Sequence, residues 1–235
     1  FGQNTKTILR NSFGCTPNAC IRMDQIQAEV LSPFGPRILK TTIPSEMLIL
    51  LNMSCDALLE SDQREEQNIS KDLVGHVQEE LAHDLEQSPA LGTMLFTLTK
   101  GLYEHCVPDQ SEDIEKLIVH KSWFVRAFEN DYNPTHMHTT GSYSCVLYLK
   151  VPEPISDTNN RYVDKKATEG YLDFIYGTSL VCCPGNVCVQ PKAGDLYIFP
   201  AYLFHTAYPF YGEGERRSFS ANMSLGVREV APSAY

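Results

Sequence analysis

The second half of the chain is a series of short β-like runs separated by turn residues, and this pattern restricts the fold more than any other feature. The runs are rich in apolar, aromatic and β-branched residues, and Gly, Pro or Asn residues separate them. They predict seven strands, at 116–129, 142–151, 170–176, 187–191, 194–200, 203–208 and 216–226. Many short strands at close spacing are typical of a β-sandwich or small barrel. The polar stretch 152–170 is predicted to be a long loop beside a site.

The residues before position 115 follow a helical pattern instead. Pro44 precedes an apolar stripe at a first-turn position, so a helix is predicted over 44–60. A further helix is predicted over 88–104, with four residues facing inward: Met94, Leu95, Leu98 and Leu102. The sequence therefore predicts an α+β protein in which an N-terminal strand and helical support region, 1–114, packs against a β core, 115–235, as one compact domain.

Residues 72–87 predict an amphipathic helix, because apolar residues recur there in steps of four at Leu73, Val77, Leu81 and Leu85. The polar face of this helix would carry His76, Glu79, Glu80 and His83. The Glu80-x-x-His83 spacing is that of a di-iron carboxylate site, but such a site needs matching motifs from other helices. The chain offers none, so we interpret these four residues as a solvated helix face.

The charge and hydropathy of the chain exclude two kinds of partner. Its net charge is −10 and it has no basic block, which argues against nucleic acid. The apolar run 47–53 is far shorter than the roughly 18–20 residues that a membrane span needs, and we interpret it as a buried helix face. A homodimer is compatible with the sequence. The chain starts at Phe1 rather than Met, consistent with a missing initiator, tag or leader.

Eight cysteines are spaced irregularly, and we interpret them as reduced thiols of an intracellular, cytoplasmic protein. The cluster CCPGNVC at 182–188 lacks a second Cys or His pair at zinc-ribbon spacing. A hairpin turn around Gly185 is therefore favoured over a metal site there.

Residues 130–138 read NDYNPTHMH and place two histidines two positions apart, just after a proline. In an extended segment, residues i and i+2 point to the same side, and the residue before Pro134 is biased toward extended backbone. His136 and His138 are therefore expected to reach one metal ion, although His-x-His alone is a weak signal. His205 ends the next apolar hairpin and adds a third candidate ligand. The alternative for His205 is a core histidine bonded to a backbone carbonyl.

The last strand candidate begins RRSFSANMS at 216–224. Strand alternation places Arg216, Ser218, Ser220 and Asn222 on one face and Arg217 on the other. A buried face with a guanidinium, two hydroxyls and an amide is costly unless an anion binds there. Because neighbouring residues cannot share a face, one of the two arginines is expected to be exposed.

Together, residues 123–224 resemble Fe(II)/2-oxoglutarate-dependent oxygenases, most closely a poorly characterised group related to prolyl hydroxylases. That group's pattern runs Trp, Asn-x-x-His-x-His, Ser-x-x-x-Tyr, Gly-x-Leu-x-x-Phe-Pro, His and Arg-x-Ser-x-Ser-x-Asn. The matching residues are Trp123, Asn133, His136, His138, Ser144, Tyr148, Gly194, Leu196, Phe199, Pro200, His205, Arg216, Ser218, Ser220 and Asn222. The resemblance implies a double-stranded β-helix (jelly-roll) core.

The resemblance also implies the roles of the site residues and the reaction. His136, His138 and His205 would bind Fe(II), with His138 at the position where most relatives have Asp or Glu. Arg216 would bind the distal carboxylate of 2-oxoglutarate, as a planar bidentate donor does well. Ser218 and Tyr148 would complete that pocket. The implied enzyme is a dioxygenase that converts 2-oxoglutarate and O2 to succinate and CO2 and hydroxylates a peptidyl or small-molecule substrate.

The second histidine departs from the usual facial triad of two histidines and one carboxylate. Three neutral imidazoles suit Fe(II), but they suit Zn, Ni or Cu equally well. Strand spacing disfavours Asp131 or Glu129 as a replacement oxygen ligand. Two alternatives therefore stay open: a three-His metalloenzyme that does not use 2-oxoglutarate, and a catalytically inactive jelly-roll protein with a binding or structural role, such as a virion or assembly component. The aromatic residues Trp123, Phe124 and Tyr143 either line the substrate site or belong to the core.

Overall fold

The computed structural model describes residues 6–7, 28–31, 35–107, 114–152, 168–181 and 183–227. In these ranges, twelve strands pair antiparallel in two sheets. The strands are β1 (Lys6–Thr7), β2 (Ala28–Leu31), β3 (Ile38–Thr42), β4 (Glu79–Ala82), β5 (Ile114–Ala127), β6 (Asn133–His136), β7 (Tyr143–Lys150), β8 (Leu172–Ile175), β9 (Asn186–Val189), β10 (Asp195–Pro200), β11 (Phe204–Ala207) and β12 (Arg216–Val227). The seven predicted strands are thus all present.

Consecutive strands of the second half alternate between the two sheets. The larger sheet has the order β1-β2-β3-β10-β7-β12-β5-β4, and the smaller one has the order β6-β11-β8-β9. From β5 to β12 the chain changes sheets at every step except the β8–β9 hairpin. This alternation is the arrangement of a double-stranded β-helix, so the predicted jelly-roll core is confirmed.

The helices cover the outer face of the larger sheet. They are α1 (Ser45–Glu60), α2 (Arg64–Gln67) and α3 (Pro89–Cys106), and short 3-10 turns occupy Ser70–Asp72 and Leu85–Gln87. The helices predicted over 44–60 and 88–104 are therefore confirmed. Met47 of α1 and Leu98 of α3 pack in one buried cluster with Phe124, Leu147 and Phe219 of the sheet. Truncating a buried aromatic residue in such a cluster typically costs about 3–5 kcal/mol.

A second apolar cluster lies between the two sheets. Tyr148, Tyr197 and Phe199 of the larger sheet pack there against Phe174 of β8. Leu147 and Tyr148 are neighbours in β7 but belong to different clusters, because successive strand residues point to opposite faces. The candidate site lies on this inner side.

The predicted helix over 72–87 is wrong. Residues 79–82 form strand β4, which pairs antiparallel with β5 and places Leu81 opposite Phe124. Leu81 would be buried in a helix as well as in this strand. The four-residue spacing of apolar residues therefore could not distinguish a helix from an edge strand that tertiary pairing stabilises. The predicted solvated face is wrong for three of its four residues, since Glu79, Glu80 and His83 are only 4%, 1% and 7% exposed, whereas His76 is exposed.

The expectation that one of the two adjacent arginines is exposed is also wrong. Arg216 and Arg217 are 4% and 1% exposed, because both faces of β12 are covered. Arg217 points toward α1, where its Nη1 lies 2.7 Å from Asp56 Oδ1 and its Nε lies 2.9 Å from Glu215 Oε1. The guanidinium on this covered face is therefore paired with carboxylates of the protein itself.

Four further expectations concern particular segments of the chain. Within the run 47–53, Met47 and Leu51 are buried, but Ile49, Leu50 and Met53 are exposed, so the interpretation of this run as a buried face holds only in part. No helix among the described residues is long and apolar enough to span a bilayer. β8 and β9 pair as a hairpin, but the residues predicted to turn lie at the start of its second strand, since Gly185 forms a bend and Asn186 already belongs to β9. Most of the predicted loop 152–170 lies outside the described residues.

Candidate metal centre

His136 and His205 face each other across two paired strands. β6 and β11 are antiparallel, and their register places His205 directly opposite His136. The two ring centroids are 4.2 Å apart. The ladder itself therefore brings together two histidines that are far apart in the sequence.

His138 completes the cluster from just beyond the end of β6. Its backbone N–H donates to the carbonyl of Ala201 at 2.9 Å, which ties this segment to the turn before β11. Its ring centroid lies 5.1 Å from those of His136 and of His205. One nitrogen from each of the three rings lies within 4.8 Å of the other two, a spacing that allows one metal ion to be shared. The structure thus brings together all three histidines predicted from the sequence.

Backbone carbonyls fix the ring orientation of two of these histidines. Nδ1 of His136 lies 2.7 Å from Pro134 O, and Nδ1 of His205 lies 3.0 Å from Leu203 O. A carbonyl oxygen only accepts, so each Nδ1 carries the proton and each Nε2 keeps a free lone pair. A carbonyl bond at Nδ1 is a common support for a metal-binding imidazole. The carbonyl contact considered for His205 as a core residue is therefore present, and it is compatible with a ligand role.

Burial keeps the three imidazoles neutral. Desolvation lowers the pKa of His136, with the bond to Pro134 opposing it. Desolvation and then the neighbouring His136 lower the pKa of His138 to about 4. The pKa of His205 falls to about 3, mainly by desolvation and then by the other two histidines. Neutral imidazole is the form that binds a metal, so the set is ready to do so at neutral pH.

Arg216, Ser218 and Tyr148 line the same cavity as the histidines. Ser218 on β12 lies opposite Tyr148 on β7, so both hydroxyl groups come from neighbouring strands. Arg216 is buried at 4% exposure and its Nη1 donates to the carbonyl of Tyr208 at 2.7 Å. Burial lowers the pKa of Arg216, opposed by Tyr148 and Asp131. Among the described residues, no carboxylate lies within ion-pair distance of Arg216, which leaves this guanidinium available to an anion in the cavity.

The remaining candidates from the sequence occupy different places. Trp123 lines the cavity, and its ring centroid lies 6.2 Å from that of His138. Phe124 belongs to the helix-side core, and Tyr143 packs against the edge of that core. Asp131 Oδ2 accepts the backbone N–H groups of Gln78 and Phe128 at 2.8 and 2.9 Å, so this carboxylate stabilises a turn and is not part of the histidine cluster.

Glu80 is the residue near this site that the sequence did not reveal. It is 1% exposed and its pKa is influenced by the side chain of Trp123. Burial raises its pKa to about 7, with Lys121 and then Trp123 opposing the rise. The available signal was Gly75, which is unfavourable inside the helix predicted over 72–87.

A second cavity, of about 710 Å³, meets the site at His138. Its walls include Arg37, Tyr143, Tyr202 and Cys106. His138 is common to this cavity and to the one that contains Arg216. The wider cavity therefore meets the histidine cluster at His138, and its volume is in the ordinary range of ligand pockets.

The fold and the site define a jelly-roll protein with a three-histidine centre and a buried arginine on one cavity, and comparisons with known proteins agree. Residues 121–222 match the family model described as "Putative 2OG-Fe(II) oxygenase". No curated protein matches the chain. The predicted resemblance is confirmed over those residues, and Fe(II) and 2-oxoglutarate, the predicted cofactors, are the ones for which that family is named.

Solved structures of similar fold include three enzymes. A prolyl-4-hydroxylase from Pseudomonas putida is 15% identical with a TM-score of 0.52, over 82% of this chain and 93% of that one. SnoK, a non-haem α-ketoglutarate-dependent carbocyclase of nogalamycin biosynthesis, is 12% identical with a TM-score of 0.52, over 80% and 79%. The epimerase SnoN of the same biosynthesis is 15% identical with a TM-score of 0.50, over 78% and 76%. At such identities these likenesses establish the fold, while the family match supports an oxidoreductase.

Proposed function

We propose that this protein is an Fe(II)- and 2-oxoglutarate-dependent oxygenase that hydroxylates a peptidyl or small-molecule substrate. One observation carries the proposal. Three neutral histidines with converging nitrogens share a cavity with a buried arginine that has no described acidic partner. The histidines can bind a metal cation and the arginine can bind an anion. Their presence on one cavity therefore fits a metal ion bound together with a dicarboxylate.

The donor set fits Fe(II). His136, His138 and His205 would hold the ion from one side, and this leaves coordination positions for other ligands. When bound, Fe(II) and 2-oxoglutarate supply the activation of O2 that is coupled to formation of succinate and CO2. The protein contributes the orientation of the rings, which the carbonyls of Pro134 and Leu203 set through Nδ1.

Arg216 fits the distal carboxylate of 2-oxoglutarate. A guanidinium presents paired N–H groups that match the two oxygens of a carboxylate, and burial strengthens such a pair. Tyr148 is 2% exposed, and its burial raises the pKa to about 12, with Arg216 opposing the rise. Its hydroxyl therefore stays protonated at neutral pH and can donate to the same carboxylate. Ser218 adds a second hydroxyl donor from the paired strand.

The substrate is proposed to approach through the wider cavity that meets the site at His138. Tyr143 and Tyr202 in its wall offer aromatic surface and hydroxyl groups, which suits a peptide or a small molecule. The structural likeness to a prolyl-4-hydroxylase is the basis for including peptidyl substrates. We also propose a reducing intracellular compartment, because Cys55, Cys106, Cys145, Cys183 and Cys188 are free thiols.

The all-histidine donor set favours one second candidate, a metalloenzyme that does not use 2-oxoglutarate. Three neutral nitrogens suit zinc and copper as well as iron. The two candidates differ in their use of Arg216, because only a 2-oxoglutarate-dependent enzyme needs a cation for the distal carboxylate.

The experiment that tests the proposal is succinate formation from 2-oxoglutarate by purified protein with Fe(II) and O2, first alone and then with panels of peptides and small molecules. The proposal expects slow uncoupled turnover without substrate and faster turnover with the right one. Iron-loaded protein that forms no succinate under any condition would favour the inactive jelly-roll alternative. Zn(II)-supported catalysis without 2-oxoglutarate would favour the second candidate.

A further inference from the structure

We propose that Glu80 is a positioning residue of the candidate metal centre: it fixes the indole ring of Trp123 and, through that ring, the imidazole of His138. The inference rests on the proposed function, because His138 needs a fixed orientation only if it binds the metal. It assigns a purpose to a buried carboxyl group that lies outside the site's first ring of residues.

The sheet places Glu80 and Trp123 on the same side. In the β4–β5 ladder Glu80 lies opposite Val125, and Ala82 lies opposite Trp123. Trp123 and Val125 both line the histidine cavity, so Glu80 points toward the same inner side at the edge of the sheet. The Glu80 backbone is held at both ends, since its N–H donates to Ser70 Oγ at 2.8 Å and its carbonyl accepts from Ile69 at 2.8 Å.

The Trp123 side chain opposes the raised pKa of the Glu80 carboxyl group, as hydrogen bonding by its one donor, the indole N–H, does. Trp123 is 4% exposed, and a buried indole N–H needs such a partner. One carboxylate oxygen of Glu80, Oε2, has no hydrogen-bond partner among the described residues. A buried carboxyl group with an unmet oxygen costs stability, which is typical of a group that serves a site rather than the fold.

His138 is the one histidine of the cluster whose ring lacks a described anchor. His136 and His205 each have a backbone carbonyl at Nδ1, whereas no described residue hydrogen-bonds to a ring nitrogen of His138. The indole of Trp123 instead packs against the His138 ring, with centroids 6.2 Å apart and an interplanar angle of 62°. The indole ring of Trp123, which is itself fixed, therefore orients the His138 ring by packing against it.

Gly75 leaves the space that this arrangement needs. A Cβ atom at position 75 would lie 3.1 and 3.2 Å from the two carboxylate oxygens of Glu80 and 3.0 Å from Nδ2 of Asn133. Asn133 lines the histidine cavity, so Glu80 and the cavity wall meet beneath Gly75. Because residue 75 has no side chain, the backbone at Gly75 lies next to Glu80 without displacing the Glu80 carboxyl group.

The test uses Co(II) affinity, followed by ligand-field absorption, together with tryptophan fluorescence. Trp123 is the single tryptophan of the chain, so its emission reports this contact alone. The variants are Glu80→Leu, which removes the acceptor, Glu80→Gln, which keeps one, and Trp123→Phe, which keeps a ring without the N–H. Thr99→Val is the matched control, since Thr99 Oγ1 on α3 is also buried without a described partner.

Glu80→Leu is expected to shift the emission and to weaken Co(II) binding at least about tenfold, the usual effect of losing a residue that supports a metal ligand. Trp123→Phe is expected to weaken Co(II) binding by the same factor, and the double variant no further, because the two residues act in series. Glu80→Gln and Thr99→Val are expected to stay within about threefold of wild type.

Wild-type affinity in either Glu80→Leu or Trp123→Phe would overturn the inference, and so would losses that multiply in the double variant. If Glu80→Leu does not fold, Trp123→Phe and Glu80→Gln still decide, because wild-type affinity in Trp123→Phe or a tenfold loss in Glu80→Gln contradicts the inference. If wild-type protein binds no Co(II), the proposed function fails and this inference fails with it. Binding by wild type with no effect of the variants removes the inference alone.

Discussion

His136 and His205 lie opposite each other in the β6–β11 ladder, and their ring centroids are 4.2 Å apart. Residues opposite each other on antiparallel strands are held at a spacing that the backbone sets. Two of the three candidate ligands are therefore fixed by the smaller sheet itself, and His138 joins them through one backbone hydrogen bond to Ala201.

His205→Ala is expected to abolish stoichiometric metal binding. It removes one of three nitrogens and leaves a buried gap at a position that is 7% exposed. An affinity loss of at least about 100-fold is expected, measured by equilibrium dialysis with metal analysis. His120→Ala is the matched control, since His120 is exposed and bonds to Ser224 Oγ outside the cluster. Equal metal content in the two variants would contradict the ligand assignment.

His138→Asp is expected to maintain or increase oxygenase activity if His138 occupies the position of the usual acid. The aspartate would restore an oxygen ligand and lower the net charge of the centre by one unit. Iron affinity and succinate formation measure the outcome, with His138→Ala as the control that removes the ligand without replacing it. Iron retained at the wild-type level by the alanine variant would place His138 outside the ligand set, and iron loss from both variants would show that an aspartate does not replace His138.

The stability of the metal-free protein is expected to depend on Glu80 in one pH range. Its folded-state pKa of about 7 lies above its ordinary value of 4.5, so the unfolded chain loses this proton first as pH rises. Glu80 therefore lowers stability progressively from about pH 4.5 to 7 and by a constant amount above that. Glu80→Gln should increase the free energy of unfolding by roughly 2–3 kcal/mol at pH 8 and by little at pH 4.

Urea denaturation at the two pH values checks this prediction. Lys121 is the charged side chain that opposes the raised pKa, so Lys121→Met in the wild-type background should lower stability at pH 8 more than at pH 4. A stability gain in Glu80→Gln that is the same at both pH values would show that Glu80 carries no shifted proton.

Arg217 is expected to act on stability and not on the site. It is 1% exposed on the helix side of β12 and contacts Asp56 and Glu215. Arg217→Ala should lower the free energy of unfolding by about 3–5 kcal/mol, because it leaves Glu215 partly unpaired in a covered position. Metal affinity in the folded fraction should not change. A parallel loss of metal affinity would mean that the two faces of β12 are coupled.

The sequence predicted those features that depend on local alternation and on order along the chain. His136, His138, His205, Arg216, Ser218 and Tyr148 are brought to one cavity, as their strand positions and the family pattern indicated. The predictions failed where tertiary contacts decided the outcome. Residues 79–82 form a strand because they pair with β5, which places Leu81 opposite Phe124. The periodicity of the segment itself does not reveal this pairing.

Arg217 illustrates a second limit. Alternation correctly separates it from Arg216, but alternation cannot show that α1 covers the outer face or that Asp56 lies within 2.7 Å. Glu80 is hidden for a related reason, because its partner Trp123 is distant in the sequence and only the β4–β5 register brings them together. Which polar residues are buried thus depends on pairings that the sequence does not display.

The most direct test of the account is the thermal unfolding midpoint of iron-loaded protein, under anaerobic conditions, with and without saturating 2-oxoglutarate. A ligand that binds the folded state at 100 times its Kd adds about 2.7 kcal/mol, which corresponds to roughly 5–10 °C for a chain of this size. This increase is expected for wild type and its loss is expected in Arg216→Ala, with Arg216→Lys in between because a lysine keeps the charge without the paired donors. No increase in wild type, or the same increase in Arg216→Ala, would contradict the account.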